Sequence, residues 1–266
     1  MQKRSGNLGI HTSGRAPAGN SASPLRRLAR ACLWHDPALY RWFGRVRRRG
    51  DCFDLDFDLW IDGFPGSANV LAAKAFQQAN PTARLSGRWH APPFILHALF
   101  NFKPGILLVR QPADAVVSHA ILSNGDLGDC LDYYNDFHRI LSPNASWLFV
   151  VTFEEIMTQF ATVIDGFNLH YRTDYGAPTQ NPAAFLAAAG PTPTPPDGSG
   201  HELRVVRPAA SHSSLKQELR QRLHENPVLR RKLEHARQLY SAFVPSGRRT
   251  PIPKLSLSTR HLPSLA

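Results

Sequence analysis

The sequence predicts an α/β protein, a parallel sheet with helices on both of its faces. Two observations carry this reading. The runs GILLVR (105–110) and SWLFVVTF (146–153) are continuously apolar over strand length, as strands covered on both sides are. Between such runs lie longer stretches with helical spacing and clear helix stop signals, so strand and helix alternate, as parallel sheets require.

The elements follow in chain order. FDLDFDLWIDGF (53–64) alternates and then reaches a glycine turn, which predicts a first strand. VLAAKAFQQAN (70–80) is made of good helix formers and is closed by Asn80-Pro81. APPFILHALFNF (91–102) predicts a helix with Pro92 and Pro93 in its first turn, and GILLVR a buried strand. ADAVVSHAILSNG (113–125) predicts a helix stopped at Asn124-Gly125. LDYYNDFHRIL (131–141) predicts another helix, SWLFVVTF a second buried strand, and EEIMTQFATVIDGFNL (154–169) a further helix. After a Pro-rich loop over 176–200, residues 213–243 predict a long amphipathic helical segment broken at Asn226-Pro227. Residues 245–266 read as a flexible tail.

Composition narrows the function classes. Of the net charge of +11, residues 1–50 supply eleven basic residues against Asp36 alone, or +10. The other 20 basic and 19 acidic residues nearly cancel, leaving +1. The chain therefore divides into a basic, largely disordered arm (1–50) and a balanced α/β domain (51–244). Within the arm, 24–49 mixes arginines with Leu, Trp and Phe and reads as short basic helices interrupted at Pro37. That composition suits weak contact with a membrane surface, while a specific nucleic-acid reader would carry a basic face on its folded domain. The cysteines Cys32, Cys52 and Cys130 have no CxxC spacing, which argues against a zinc site or a disulfide scaffold. With no secretory signal or membrane span in the sequence, the expected location is the cytoplasm.

The chemistry concentrates in three places. The segment FPGSANV (64–70) joins a strand to a helix through a turn, so backbone N–H groups converge at a helix N-terminus where an anion can be held. No Gly-Lys-Ser/Thr follows, which excludes a Walker A loop and disfavours a nucleotide kinase or NTPase. Arg110 ends a buried strand and Ser118 lies two helical turns later, so both can face one point above the sheet edge. Arg110 then offers a forked cation to a phosphate and Ser118 a hydroxyl, unless Arg110 pairs with Asp114 instead.

The motifs GFPGSANVLAAKAF, RWHAPPFIL and LLVRQPADAVVSH resemble, in that order, those of the sulfotransferase family. VTFEEIM (151–157) and the late helical segment are similar more loosely, and the likeness spans about residues 55–244. The resemblance implies a three-layer P-loop-like α/β fold. It also implies transfer of a sulfuryl group from 3′-phosphoadenosine 5′-phosphosulfate (PAPS) to a hydroxyl or amine of a small-molecule or carbohydrate acceptor, with no metal. On that basis Pro65, Gly66, Ser67, Ala68, Asn69 and Val70 would cradle the 5′-phosphosulfate, and Arg110 and Ser118 would hold the 3′-phosphate. His90 would be the general base, a role that suits a side chain titrating near neutrality. His119 reads as structural or substrate-lining.

Two positions depart from the family's pattern. A Lys or Arg is usual where Gly66 stands, and often a Thr or Ser where Val70 stands. Removing one preorganised donor of this kind costs about 2.7–4 kcal/mol of transition-state stabilisation. Lys74, one helical turn on, reaches the loop only by folding back. A catalytically weak or inactive nucleotide-binding protein of the same fold is therefore the alternative reading.

Overall fold

The structure, a computed structural model, describes residues 24–36, 39, 40, 42, 55–87, 89–179, 182 and 211–244. Cys52, Arg88, most of the Pro-rich loop and the C-terminal tail lie outside these residues.

Four strands form one parallel sheet in the order β2-β1-β3-β4: β1 Leu59–Gly63, β2 Leu85–Gly87, β3 Gly105–Val109 and β4 Phe149–Thr152. Ile61 pairs with Gly87 on one side and Ile106 on the other, and Leu108 pairs with Val151. Helices α1 (Pro24–His35), α2 (Asn69–Ala79), α3 (Pro92–Phe100), α4 (Pro112–Ser123), α5 (Leu127–Leu141), α6 (Phe153–Tyr171), α7 (Ser211–Glu225) and α8 (Pro227–Phe243) complete the described fold. A 3₁₀ turn, Ser142–Trp147, leads from α5 into β4.

The period of two along each central strand divides the core into two layers. Leu59, Ile61, Ile106 and Leu108 face α2 and α6, where Ala72, Ala75, Phe76, Phe160, Ile164 and Phe167 bury them. Trp60, Leu107 and Val109 face the opposite way, toward Phe94 of α3, Val116 of α4, Tyr134 of α5 and Tyr240 of α8. Every residue of β1 and β3 is buried, as strands sandwiched between helix layers must be. Gly105 starts β3 without a side chain because a Cβ there would overlap the Trp60 indole.

Two expectations need correction. The first strand occupies Leu59–Gly63, not the longer stretch beginning at Phe53. Before it, Asp56 and Asp58 turn outward to the guanidinium of Arg84, and the described residues 55–58 form no strand. The folded unit also includes part of the basic arm. Trp34 of α1 is 92% covered within the larger core layer, and Arg30 stacks 4.8 Å over the Tyr133 ring. No helix among the described residues is long and apolar enough to cross a membrane.

Candidate functional site

From β1 the chain crosses to β2 on one side of the sheet, and from β3 it crosses to β4 on the other. The crevice beyond the C-terminal ends of β1 and β3 is thus the switch point, where parallel α/β sheets receive ligands. Residues 64–68 issue into it from β1 and Arg110 from β3.

The loop is a tight, self-braced turn. Ser67 N donates to Phe64 O at 3.2 Å, and the backbone takes positive φ at Gly66 (87°) and Ala68 (69°). Asn69 closes it from inside, its Nδ2 donating to Gly63 O (3.3 Å) and Phe64 O (3.0 Å). Ala68 gives α2 no side-chain cap, and no acid lies in its first turn, so the helix's partial positive charge faces the loop uncompensated from within α2. Ser67 is wholly buried, with no hydrogen-bond partner for its Oγ among the described residues, and Asn69 Oδ1 and Arg110 Nε are likewise buried without partners there. Three such atoms around one turn are uncommon, because buried polar groups nearly always find partners in protein, water or ligand.

Arg110 draws the loop and α4 together. Its Nη1 donates to Gly66 O at 2.8 Å and to Ser118 Oγ at 3.2 Å, and its guanidinium lies 3.9 Å from the Phe153 ring centre. The pairing of Arg110 with Asp114 is not made: Asp114 binds Arg220 of α7 at 2.6 Å. Burial draws the Arg110 pKa down from the usual guanidinium range, against the opposing pull of Asp114 and Glu154. A guanidinium so placed gains from any anion that reaches it.

His90 adopts φ 51°, a conformation that side chains avoid. It is held there from three sides. The buried carboxylate of Asp62 accepts from His90 N (3.1 Å), Trp89 N (3.0 Å) and Gly63 N (2.8 Å). Tyr133 donates its hydroxyl to His90 O at 2.9 Å. The ring's Nδ1 lies 2.7 Å from Gly63 O, 3.2 Å from Asp62 Oδ1 and 3.4 Å from Asn69 Nδ2. Facing two oxygen acceptors, Nδ1 carries the proton in the neutral ring, which leaves the lone pair on Nε2.

The anticipated residues fall into two groups around the loop. His90 stands against its two ends, Gly63 and Asn69, while Arg110 and Ser118 stand against its middle at Gly66. Pro65 and Val70 are half-buried in the same turn. Lys74 is half-buried on α2 and makes no hydrogen bond or ion pair with the described residues. Burial, and secondarily the charge of His90, lowers the His119 pKa to about 4, and its ring meets Phe64 and Tyr133 edge-on. It is a packed, neutral side chain, in keeping with the structural part of its expected role.

Sequence reasoning passed over Asp62, Tyr133 and Tyr134, the last of which donates to Arg110 O at 2.9 Å. Asp62 had a visible signal, an acid inside an apolar strand at a core-facing position, which demands buried donors. Away from the crevice, an open hollow of about 670 Å³ lies between α1, α5 and α8. Of the cations lining it, Lys232, Arg30 and Arg139 are paired with Asp132 or Asp136.

No protein-family model matches the chain, and neither a curated protein nor a solved structure matches it.

Proposed function

We propose that the protein binds PAPS at the β1–β3 crevice and transfers its sulfuryl group to a hydroxyl or amine of a small-molecule or carbohydrate acceptor. The observation that carries this reading is the meeting of Arg110, Ser118 and the 64–68 turn at one point of the sheet edge. In this reading the 3′-phosphate lies against Arg110 and Ser118. The 5′-phosphosulfate lies against the turn, where backbone amides and the unpartnered Ser67 hydroxyl supply donors. His90 accepts the acceptor's proton through Nε2.

A second reading, nucleotide binding with little or no turnover, is favoured by Gly66. At φ 87°, a Cβ on this residue would lie 3.1 Å from Ser118 Cβ and 3.2 Å from Ala115 O. This backbone does not accommodate the cation that the resemblance leads one to expect, and transition-state charge on the bridging oxygen loses that neutralising partner.

Calorimetric titration with the desulfated nucleotide tests the shared part of both readings. Saturable binding that requires the 3′-phosphate is expected, and equal affinity for nucleotides without it would sink both. Incubation with PAPS and a broad acceptor panel separates them, since only the enzyme releases desulfated nucleotide. His90→Ala is then expected to lower turnover by about 10²–10⁴ with nucleotide affinity nearly unchanged.

A further inference from the structure

We propose that Asp62 is a positioning residue for His90. Its buried carboxylate orients His90 through the backbone and, 3.2 Å from the Nδ1 that faces Gly63 O at 2.7 Å, stabilises the imidazolium formed when Nε2 takes a proton. This rests on the base role proposed above for His90.

The geometry is unusually committed. Asp62 is fully buried on the core-facing side of β1, one residue before the loop. Its oxygens gather the N–H groups of Gly63, Trp89 and His90 and also face the ring Nδ1 at 3.2 Å. One carboxylate therefore sets the backbone of His90 and stands beside its ring, whose Nδ1 also faces Gly63 O at 2.7 Å. Three donors around an acid make a preorganised anion site, and that anion stands against the imidazole. The φ of 51° at His90 is costly, and the Asp62 bonds on two successive N–H groups, with Tyr133 on the carbonyl, hold it in place.

Other titratable groups near the ring do not supply this effect. His119 of α4, with its pKa at about 4, is neutral wherever His90 would act. Tyr133 of α5 is pushed above its ordinary range by burial and stays a neutral donor. Arg30 of α1 lies over the Tyr133 ring and opposes a second cation. Among the described residues, Asp62 is thus the acid on the proton-bearing side of the ring. In the transfer step the acceptor's lone pair forms the new bond to sulfur, and the bridging S–O bond leaves with its electrons on the nucleotide. The acceptor proton passes to Nε2, and the resulting positive ring is the state that the carboxylate favours.

Long-range ¹H–¹⁵N spectra of histidine-labelled, nucleotide-free protein between about pH 5 and 9 test the proposal directly, with His90→Ala assigning the signal. The neutral His90 ring is expected as the Nδ1–H tautomer. In Asp62→Asn its titration midpoint is expected to fall by about one unit or more. The acidic limb of any turnover profile should move down by the same amount, with desulfated-nucleotide affinity unchanged. An Nε2–H tautomer in the wild type, or an unmoved midpoint in a folded Asp62→Asn protein, would overturn it. If the variant does not fold, the wild-type midpoint decides: a His90 midpoint at or below the ordinary value of about 6.5 would overturn the proposal. Because these spectra need no nucleotide, the expected tautomer and midpoint without sulfuryl transfer would uphold the pair and reject the reaction.

Discussion

Arg110 and Gly66 show what a single residue decides at this site. The link from Arg110 to Ser118 was legible in the sequence, because one strand end and two turns of helix fix their separation whatever the rest of the chain does. The role of Gly66 was not, since a motif shows a missing cation but not the positive φ and the helix wall that exclude it. Arg110→Ala is expected to weaken desulfated-nucleotide binding roughly 10- to 100-fold, the loss of a charge-assisted hydrogen bond to phosphate. Arg139→Ala removes an exposed i,i+3 pair with Asp136, away from the crevice, and should leave the calorimetric affinity unchanged. Gly66→Ala is expected to destabilise the fold by about 1–3 kcal/mol, read as a lower denaturant midpoint. An unchanged midpoint would mean that the turn relaxes around a side chain, and a cation could then be installed there.

Among the elements, α5 ties the site together. Consecutive residues Tyr133 and Tyr134 hold the carbonyls of His90 and Arg110, each at 2.9 Å, so one helix sets both backbones. Tyr133→Phe should lower turnover while sparing nucleotide affinity, and Tyr134→Phe should weaken nucleotide binding first. The same loss in both quantities from either change would refute the division. Each variant also leaves a partly buried carbonyl without this donor, worth about 1 kcal/mol of stability. These bonds span 43 and 24 positions, so no local spacing announces them. The helices themselves were legible because their punctuation is local. Asn226 caps α8 by accepting from Val228 N and Leu229 N, and Thr152 with Glu155 closes a reciprocal capping box on α6.

For the whole molecule, the alternation of apolar runs and helical stretches was enough to predict the parallel sheet, while the depth to which α1 enters the core was not. Trp34 reads as part of a basic arm until Tyr133 and Phe137 are seen beside it, at ring distances of 5.3 and 6.4 Å. The packed core also sets an acid limit. Burial lowers the pKa of both His138 and His119 to about 4, against 6.5 for the ordinary side chain. The unfolded chain therefore binds more protons between pH 6.5 and 4, so stability is complete above 6.5 and declines as pH falls toward 4. Each histidine can remove up to about 3 kcal/mol. Thermal melts should show this slope, and His138→Gln should flatten it if the variant folds; a melt unchanged between pH 6.5 and 4 would contradict it.

The bond from Arg110 to Gly66 O also has a consequence for timing. The Nη1 that would grip a nucleotide already holds the middle of the turn at 2.8 Å, so a phosphate that takes this donor must first loosen that latch. Capture should then proceed in two steps, a fast encounter followed by a slower rearrangement. In rapid-mixing experiments the observed rate is expected to level off as nucleotide concentration rises, at the frequency with which the turn lets go. A rate that climbs in proportion to concentration throughout would mean that the latch opens faster than ligand arrives.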